Sequence, residues 1–147
     1  VFAAGAGPGS GAPRKDTVDR AAAVLFADAA ERAGVRRFVQ ISAMGASGPI
    51  DAAVVGDVFA AYLHAKAAAE EDLRSRDLDW TILRPGGLTD DPATGLVHLA
   101  DDVPRGDVPR DDVAAVTQAL LSDDLAFGRT VELTSGNTPI AEAVSRL

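Results

Sequence analysis

The chain has 147 residues and no cysteine, which excludes disulfides, cysteine-based zinc sites and thiol nucleophiles. Histidine is almost as scarce, with only His64 and His98, so no metal site is expected. Positive charge is short as well: 14 Lys and Arg stand against 22 Asp and Glu, for a formal net charge of −8. Nucleic acids and anionic membranes need a cationic surface to displace counterions, so neither is an expected partner. No apolar run approaches the ~18 residues of a membrane span, and no signal peptide is visible. The expected location is therefore the cytoplasm. What the chain does hold is 47% hydrophobic residues, enough to bury a real core within a single domain spanning residues 1–147.

Residue 1 is Val rather than Met, and Val1-Phe2-Ala3-Ala4 reads as a core strand already under way. The expectation is the C-terminal part of a longer protein. A glycine-rich loop, Gly5 to Gly11, follows. Asp16 or Thr17 is the expected cap of a first helix, with Val18, Ala22, Leu25, Ala29 and Ala33 as its apolar stripe and Gly34 as its stop. Arg36 to Ser42 is a strand, and residues 43–56 are a loop. Asp57 to about Arg76 is a second helix, with Val58, Tyr62, Ala65, Ala69 and Leu73 on one face. Leu78 to Arg84 is a strand closed by Pro85-Gly86-Gly87. Residues 88–109 are a loop region with a short strand at Leu96 to Ala100. A helix at Asp111 to Ser122 and a strand at Thr130 to Thr134 follow, and Thr138-Pro139 is the expected cap and first position of a final short helix. Strands alternating with amphipathic helices imply an α/β fold with a parallel sheet and right-handed crossovers. Ligands then sit beyond the carboxyl ends of the strands, so the segments after Ala4, Ile41 and Arg84 should line one crevice.

Gly7-Pro8-Gly9-Ser10-Gly11-Ala12 satisfies the dinucleotide fingerprint G-x-G-x-x-G/A. The match is rejected on two grounds. The fingerprint needs a helix starting inside it, whereas the helical pattern starts only near Thr17. It also needs an acid at the end of the next strand to hold a ribose hydroxyl, and that strand ends Gln40-Ile41-Ser42. A plain flexible loop is the expectation.

Tyr62 and Lys66 form Y-x-x-x-K, and spacing i, i+4 puts both on one helix face. An ammonium beside a phenol favours the phenolate and brings its pKa from ~10 toward neutrality. Such a tyrosine serves as general acid or base, and the lysine can also bond a cofactor ribose. Ser42 ends the preceding strand, where its hydroxyl could hold a substrate oxygen. The plainer alternative is a core tyrosine beside an ordinary Lys66–Glu70 surface pair. Asp111 and Asp112 suit the first turn of a helix. Asp90-Asp91 and Asp101-Asp102 read as solvated loop acids, and His64 points about 200° around its helix from Tyr62.

The order of these features (a strand ending in Ser42, a glycine-bearing loop, a helix with Tyr62 and Lys66, then Arg84-Pro85-Gly86-Gly87) resembles the atypical short-chain dehydrogenase/reductases. The resemblance is to their NAD(P)H-binding, NmrA-like and flavin-reductase-like group. The matching segments, VFAAGAG, VDRAAAVLFADAAERAGVRRFVQISAMGA, YLHAKAAAEEDLRSRDLDWTILRPGGLTDD, RGDVPRDDVAAV and TVELTSG, span nearly the whole chain. The resemblance implies a Rossmann-type parallel sheet with flanking helices that lacks the first strands of the full fold, on the order of 60–80 residues. It implies NAD(P)H as cofactor, with NADPH the favoured form, and a small-molecule substrate. Ala3, Ala4 and Gly5 would pass close to the cofactor. Lys66 would hold the nicotinamide ribose, Tyr62 would donate the proton, and Pro85, Gly86, Gly87 and Leu88 would lie against the nicotinamide. The family often carries paired serines where this chain has Ser42 and Ala43, so a substrate-orienting serine is expected to be missing.

The implied function is an NAD(P)H-dependent oxidoreductase acting on a carbonyl, flavin or quinone-like acceptor. The alternatives are a non-catalytic NAD(P)-sensing regulator or an inactive fragment. Residues 1–4 would form an uncovered apolar sheet edge, which invites pairing with a second copy. A homodimer through that edge and weak binding of NAD(P)H are therefore expected.

Overall fold

The computed structural model describes residues 1–147. Its main sheet is built from β1 (Arg37–Ile41), β2 (Asp79–Pro85), β6 (Arg129–Ser135), β4 (Leu96–Ala100) and β7 (Thr138–Pro139), in that spatial order. β1, β2 and β6 run parallel, with Phe38 opposite Trp80 and Leu83 opposite Val131. β4 is antiparallel to both β6 and β7, so the sheet is parallel on one side and reverses on the other. A small parallel ribbon, β3 (Gly87–Thr89) with β5 (Asp107–Pro109), stands apart from it.

Burial on both faces explains why the strands read as near-continuous apolar runs. Successive side chains of β2 alternate between two cores. Ile82 joins Phe2, Phe38, Ala23, Ala27, Ala69 and Leu73 on one face. Leu83 joins Val97, Val131, Leu133, Val116 and Leu120 on the other. Burying Ile82 or Leu83 in this way contributes roughly 1.5–3 kcal/mol each. The first face is covered by the N-terminal helix and by α4 (Asp57–Arg74), the second by α5 (Arg110–Leu121) and α6 (Ile140–Val144). No helix is long and apolar enough to cross a membrane.

Several local expectations are corrected. The N-terminal helix does not wait for a cap at Asp16 or Thr17. It starts as α1 (Gly11–Arg14), continues as a π-helical segment (Lys15–Ala21) and runs on as α2 (Ala22–Arg32). Pro13 is compatible with this, since the N–H it lacks belongs to the first turn, where no intrahelical acceptor exists. The wider winding also resets the stripe: Ala23 and Ala27 are buried, while Leu25 lies out in solvent. On α4, Ala65, Ala69 and Leu73 are buried as expected, but Val58 is exposed. The 43–56 loop holds a one-turn helix, α3 (Ala52–Val55), capped by Asp51. Pro139, not Thr138, stands at the cap of the last helix, with no side-chain capping bond. Thr138-Pro139 pairs with Leu96 and Val97, and α6 begins at Ile140. The opening segment makes one parallel bridge, Phe2 to Gln40, with Phe2 N–H donating to Val39 O at 2.8 Å and Ile41 N–H to Phe2 O at 2.9 Å.

The join between β2 and β3 leaves no room for side chains at its two glycines. A Cβ at Gly86 would lie 2.0 Å from the Gly106 carbonyl oxygen, whereas one at Gly87 would meet only the Asp107 carboxylate at 2.1 Å. Backbone cannot yield as a rotatable side chain can. Gly86→Ala is therefore expected to cost about 1–3 kcal/mol or more and Gly87→Ala clearly less. Urea unfolding midpoints of the two variants would check this, and equal costs would contradict it.

Candidate cofactor and active site

The segments after Ala4, Ile41 and Arg84 converge as the alternation requires. They line one crevice of about 1180 Å³ at the carboxyl ends of β1 and β2, whose walls include Ala3, Ala4, Gly5, Ser42, Tyr62, Lys66, Pro85, Gly86, Gly87 and Leu88. The backbone locks its floor: Ser42 N–H donates to Leu83 O at 2.7 Å and Met44 N–H to Pro85 O at 3.1 Å. Tyr62 and Lys66 reach the crevice together from α4, one turn apart.

Lys66 is buried, and its setting is not the ordinary surface pair with Glu70 that stood as the alternative. Its Nζ donates to Ile41 O at 3.2 Å and sits 3.4 Å from Asp19 Oδ1. Burial pushes the Lys66 ammonium down, and the Asp19 carboxylate opposes that shift. Asp19 is wholly buried on the π-helical segment and accepts from Ala6 N–H at 3.2 Å. Lys15, one turn earlier on that segment, is buried too and donates from Nζ to Gly7 O at 2.7 Å. The two ammonium groups flank the Tyr62 ring, Lys15 at 5.5 Å and Lys66 at 5.7 Å from its centroid.

The expectation that lysine draws the Tyr62 phenol toward neutrality is corrected. Burial pushes it up to about 12, and the nearby Asp19 carboxylate adds to the rise. The lysines lie over the ring face and neither bonds the phenol oxygen, so they do not outweigh the loss of water.

Ser42 lines the crevice as well. Its hydroxyl donates its proton to Glu70 Oε1 at 2.5 Å, and Ala43 follows it on the crevice wall. Glu70 further accepts from Arg84 Nε at 2.9 Å, from Arg84 Nη2 at 2.5 Å and from Arg74 Nη2 at 2.8 Å. Burial raises the Glu70 carboxyl, but the bonds from Arg84 and Ser42 outweigh it and leave the pKa below its ordinary value. This carboxylate thus ties the end of β1, the end of β2 and α4 together under the crevice.

The Gly7–Ala12 loop needs revision on one of its two grounds. The helix does start inside the motif, at Gly11, and Gly7, Pro8 and Gly9 lie on the crevice wall. The missing acid stands: β1 ends at Ile41, followed by Ser42. Of the loop acids, Asp90 pairs with Arg110 at 2.8 Å and Asp101 with Arg129 at 2.6 Å. Asp112 accepts from Thr94 N–H at 3.0 Å and Gly95 N–H at 2.9 Å, fixing the turn into β4. His64 and His98 are exposed. Sequence reasoning missed Lys15, Asp19 and Glu70.

The crevice suits a nicotinamide nucleoside. The ammonium of Lys66, with three donors of which the carbonyl of Ile41 takes one, can reach ribose hydroxyls. Gly7 and Gly9 leave open space where a Cβ would stand, both at positive φ. The cavity also exceeds the ~300–1,000 Å³ of common small-ligand sites.

Comparison with known proteins agrees. The "Uncharacterized sugar epimerase YhfK" of Bacillus subtilis is 38% identical over the whole chain, which spans 67% of that protein. A solved structure from Bacillus halodurans, a "Putative NAD-dependent epimerase/dehydratase", superposes with a TM-score of 0.88 at 34% identity, covering 99% of this chain and 68% of that one. The oxidoreductase ylbE from Lactococcus lactis gives 0.79 at 34% identity, covering 88% and 59%. The chain thus spans about two thirds of the length of these relatives. Residues 1–124 match the NAD(P)H-binding family, and the chain belongs to it.

Proposed function

We propose that the chain carries the nicotinamide side of an NAD(P)H-dependent oxidoreductase that reduces a small-molecule acceptor of the carbonyl, flavin or quinone type. The observation that supports this most is the joint exposure of Tyr62 and Lys66 to one crevice at the strand ends. The cofactor would supply hydride. Lys66, held by Ile41 O and Asp19, offers its remaining donors to the ribose. Tyr62 keeps its proton at neutral pH, because its phenol is pushed up to about 12. It therefore carries a proton that it could pass to the acceptor oxygen. Pro85, Gly86, Gly87 and Leu88 form the wall against which the ring would lie, and Ala3, Ala4 and Gly5 the close backbone approach. Ser42 acts through Glu70 as a positioning residue.

Two relatives bear epimerase names, and epimerisation needs a group that first removes a proton. Tyr62, held protonated by burial and Asp19, is in the state from which a reduction starts. A non-catalytic cofactor sensor would use the same crevice without turnover. The test is consumption of NADPH, and then NADH, with menadione as acceptor. Tyr62→Phe is expected to lower turnover and leave cofactor affinity nearly unchanged, since it removes a group needed in the transition state. Lys66→Met is expected to weaken both. Unchanged turnover in Tyr62→Phe would remove its assigned role.

A further inference from the structure

The crevice differs from the rest of the molecule in charge. The whole chain carries 14 cations against 22 acids, yet four cations (Lys15, Lys66, Arg105 and Arg110) line the crevice against two acids, Asp19 and Asp57. Two of the cations are already engaged, Lys15 by Gly7 O and Lys66 by Ile41 O and Asp19. Arg105 has no hydrogen bond or ion pair, although its Nη2 lies close enough to Gly45 that a Cβ there would meet it at 3.3 Å. Arg110 is held through Nε by Asp90, which leaves its two terminal nitrogens open. Arg105 lies just before β5 and Arg110 just after it, so both reach the crevice from the side where β5 pairs with Gly87.

The same crevice has an apolar lip. Val55, Val58, Phe59 and Leu88 line it and remain 38–48% exposed. Phe59 extends the aromatic surface of Tyr62, with ring centroids 5.6 Å apart. Grouped exposed apolar side chains around a concavity mark a binding surface. Guanidinium N–H groups left open beside it, those of Arg105 and the two terminal nitrogens of Arg110, recognise carboxylate or phosphate oxygens.

We infer that the acceptor is a flat, apolar ring bearing an acidic substituent, with the ring on the Val58–Phe59–Leu88 lip and the acid on Arg105 and Arg110. This rests on the reductase reading above and adds the substrate class to it. A phosphate of the cofactor would offer Arg105 the same chemistry, so the experiment separates the two sources.

Binding of 2-naphthoate and of its neutral isostere 2-naphthamide would be followed by their fluorescence, using the whole chain and its Arg105→Gln variant. NADPH would be titrated into both proteins alongside. The expected result is about tenfold or tighter binding of the carboxylate over the amide. That preference should largely vanish in Arg105→Gln, with amide and NADPH affinities unchanged. Equal binding of acid and amide by the parent chain would overturn the inference. So would a loss in Arg105→Gln confined to NADPH, which would assign the guanidinium to a cofactor phosphate. Phe59→Ala should weaken both naphthalenes alike, and an unchanged affinity would remove the lip. Failure of the reductase reading would show elsewhere, as no NADPH consumption with menadione while the acid-over-amide preference persists.

Discussion

Tyrosinate absorbance is expected to rise only near pH 12 in the folded protein, and near the ordinary ~10 once the chain is unfolded. Tyr62 is the single tyrosine, so the signal has one source. Four features act on it: burial, the Asp19 carboxylate, and the two ammonium groups of Lys15 and Lys66 over its ring. Burial and Asp19 raise the pKa, so Asp19→Asn is expected to lower the folded midpoint. A midpoint near neutrality in the parent protein would show that the lysines dominate after all. The shift has a consequence for stability. The folded pKa is above the unfolded one, so the native state holds the proton longer. The stabilisation is complete below about pH 10 and is lost as pH rises through the folded value. Tyr62→Phe should flatten that alkaline loss. In a reduction assay, Tyr62→Phe is expected to lower turnover roughly 10²–10⁴-fold, the usual weight of a placed general acid.

Glu70→Ala is expected to be the most destabilising change at the site. Glu70 and Arg84 are both buried and doubly bonded to each other. Removing one partner of such a pair leaves an uncompensated charge, at a cost of about 3–5 kcal/mol. The Ser42 hydroxyl loses its acceptor in the same step. Glu70→Leu combined with Arg84→Met should cost far less, since the only charged partner left without Glu70 is the part-exposed Arg74 and no lone buried charge remains. Urea unfolding would measure all three proteins, and a single Ala variant as stable as the parent would contradict the assignment. The pH dependence has the opposite sense to that of Tyr62. The Glu70 carboxyl lies below its ordinary value. Its contribution is therefore present above the unfolded value of ~4.3 and is lost as pH falls through the folded one.

The sequence was legible where a short-range rule decides the outcome. The strand leading into Pro85, the turn at Pro85-Gly86-Gly87 and the i, i+4 face of Tyr62 and Lys66 all follow from local geometry, and so does the crevice at the strand ends. Glu70 was not legible. Spacing offers Lys66 as its neighbour, and only the folded sheet brings Arg84 and Ser42 to it across 14 and 28 residues. Lys15 and Asp19 were hidden by Pro13, which reads as a break unless the helix is known to begin two residues earlier. β3 and β5 have three residues each, too few to show a period.

The π-helical turn at Lys15–Ala21 sits between two segments with separate duties. Within it, Lys15 and Asp19 face the crevice; after it, Ala23 and Ala27 face the sheet. A π turn closes its hydrogen bonds one residue later than an α turn, so it absorbs one residue without forcing either neighbour to rotate. Shortening the segment by a single residue would let the helix regularise, at the price of about 100° of rotation for one of its ends. Either the two alanines would leave the core, or the ion pair of Asp19 with Lys66 would come apart. The helix thus holds two phases that no uniform winding could satisfy, and the register slip between them joins packing to chemistry.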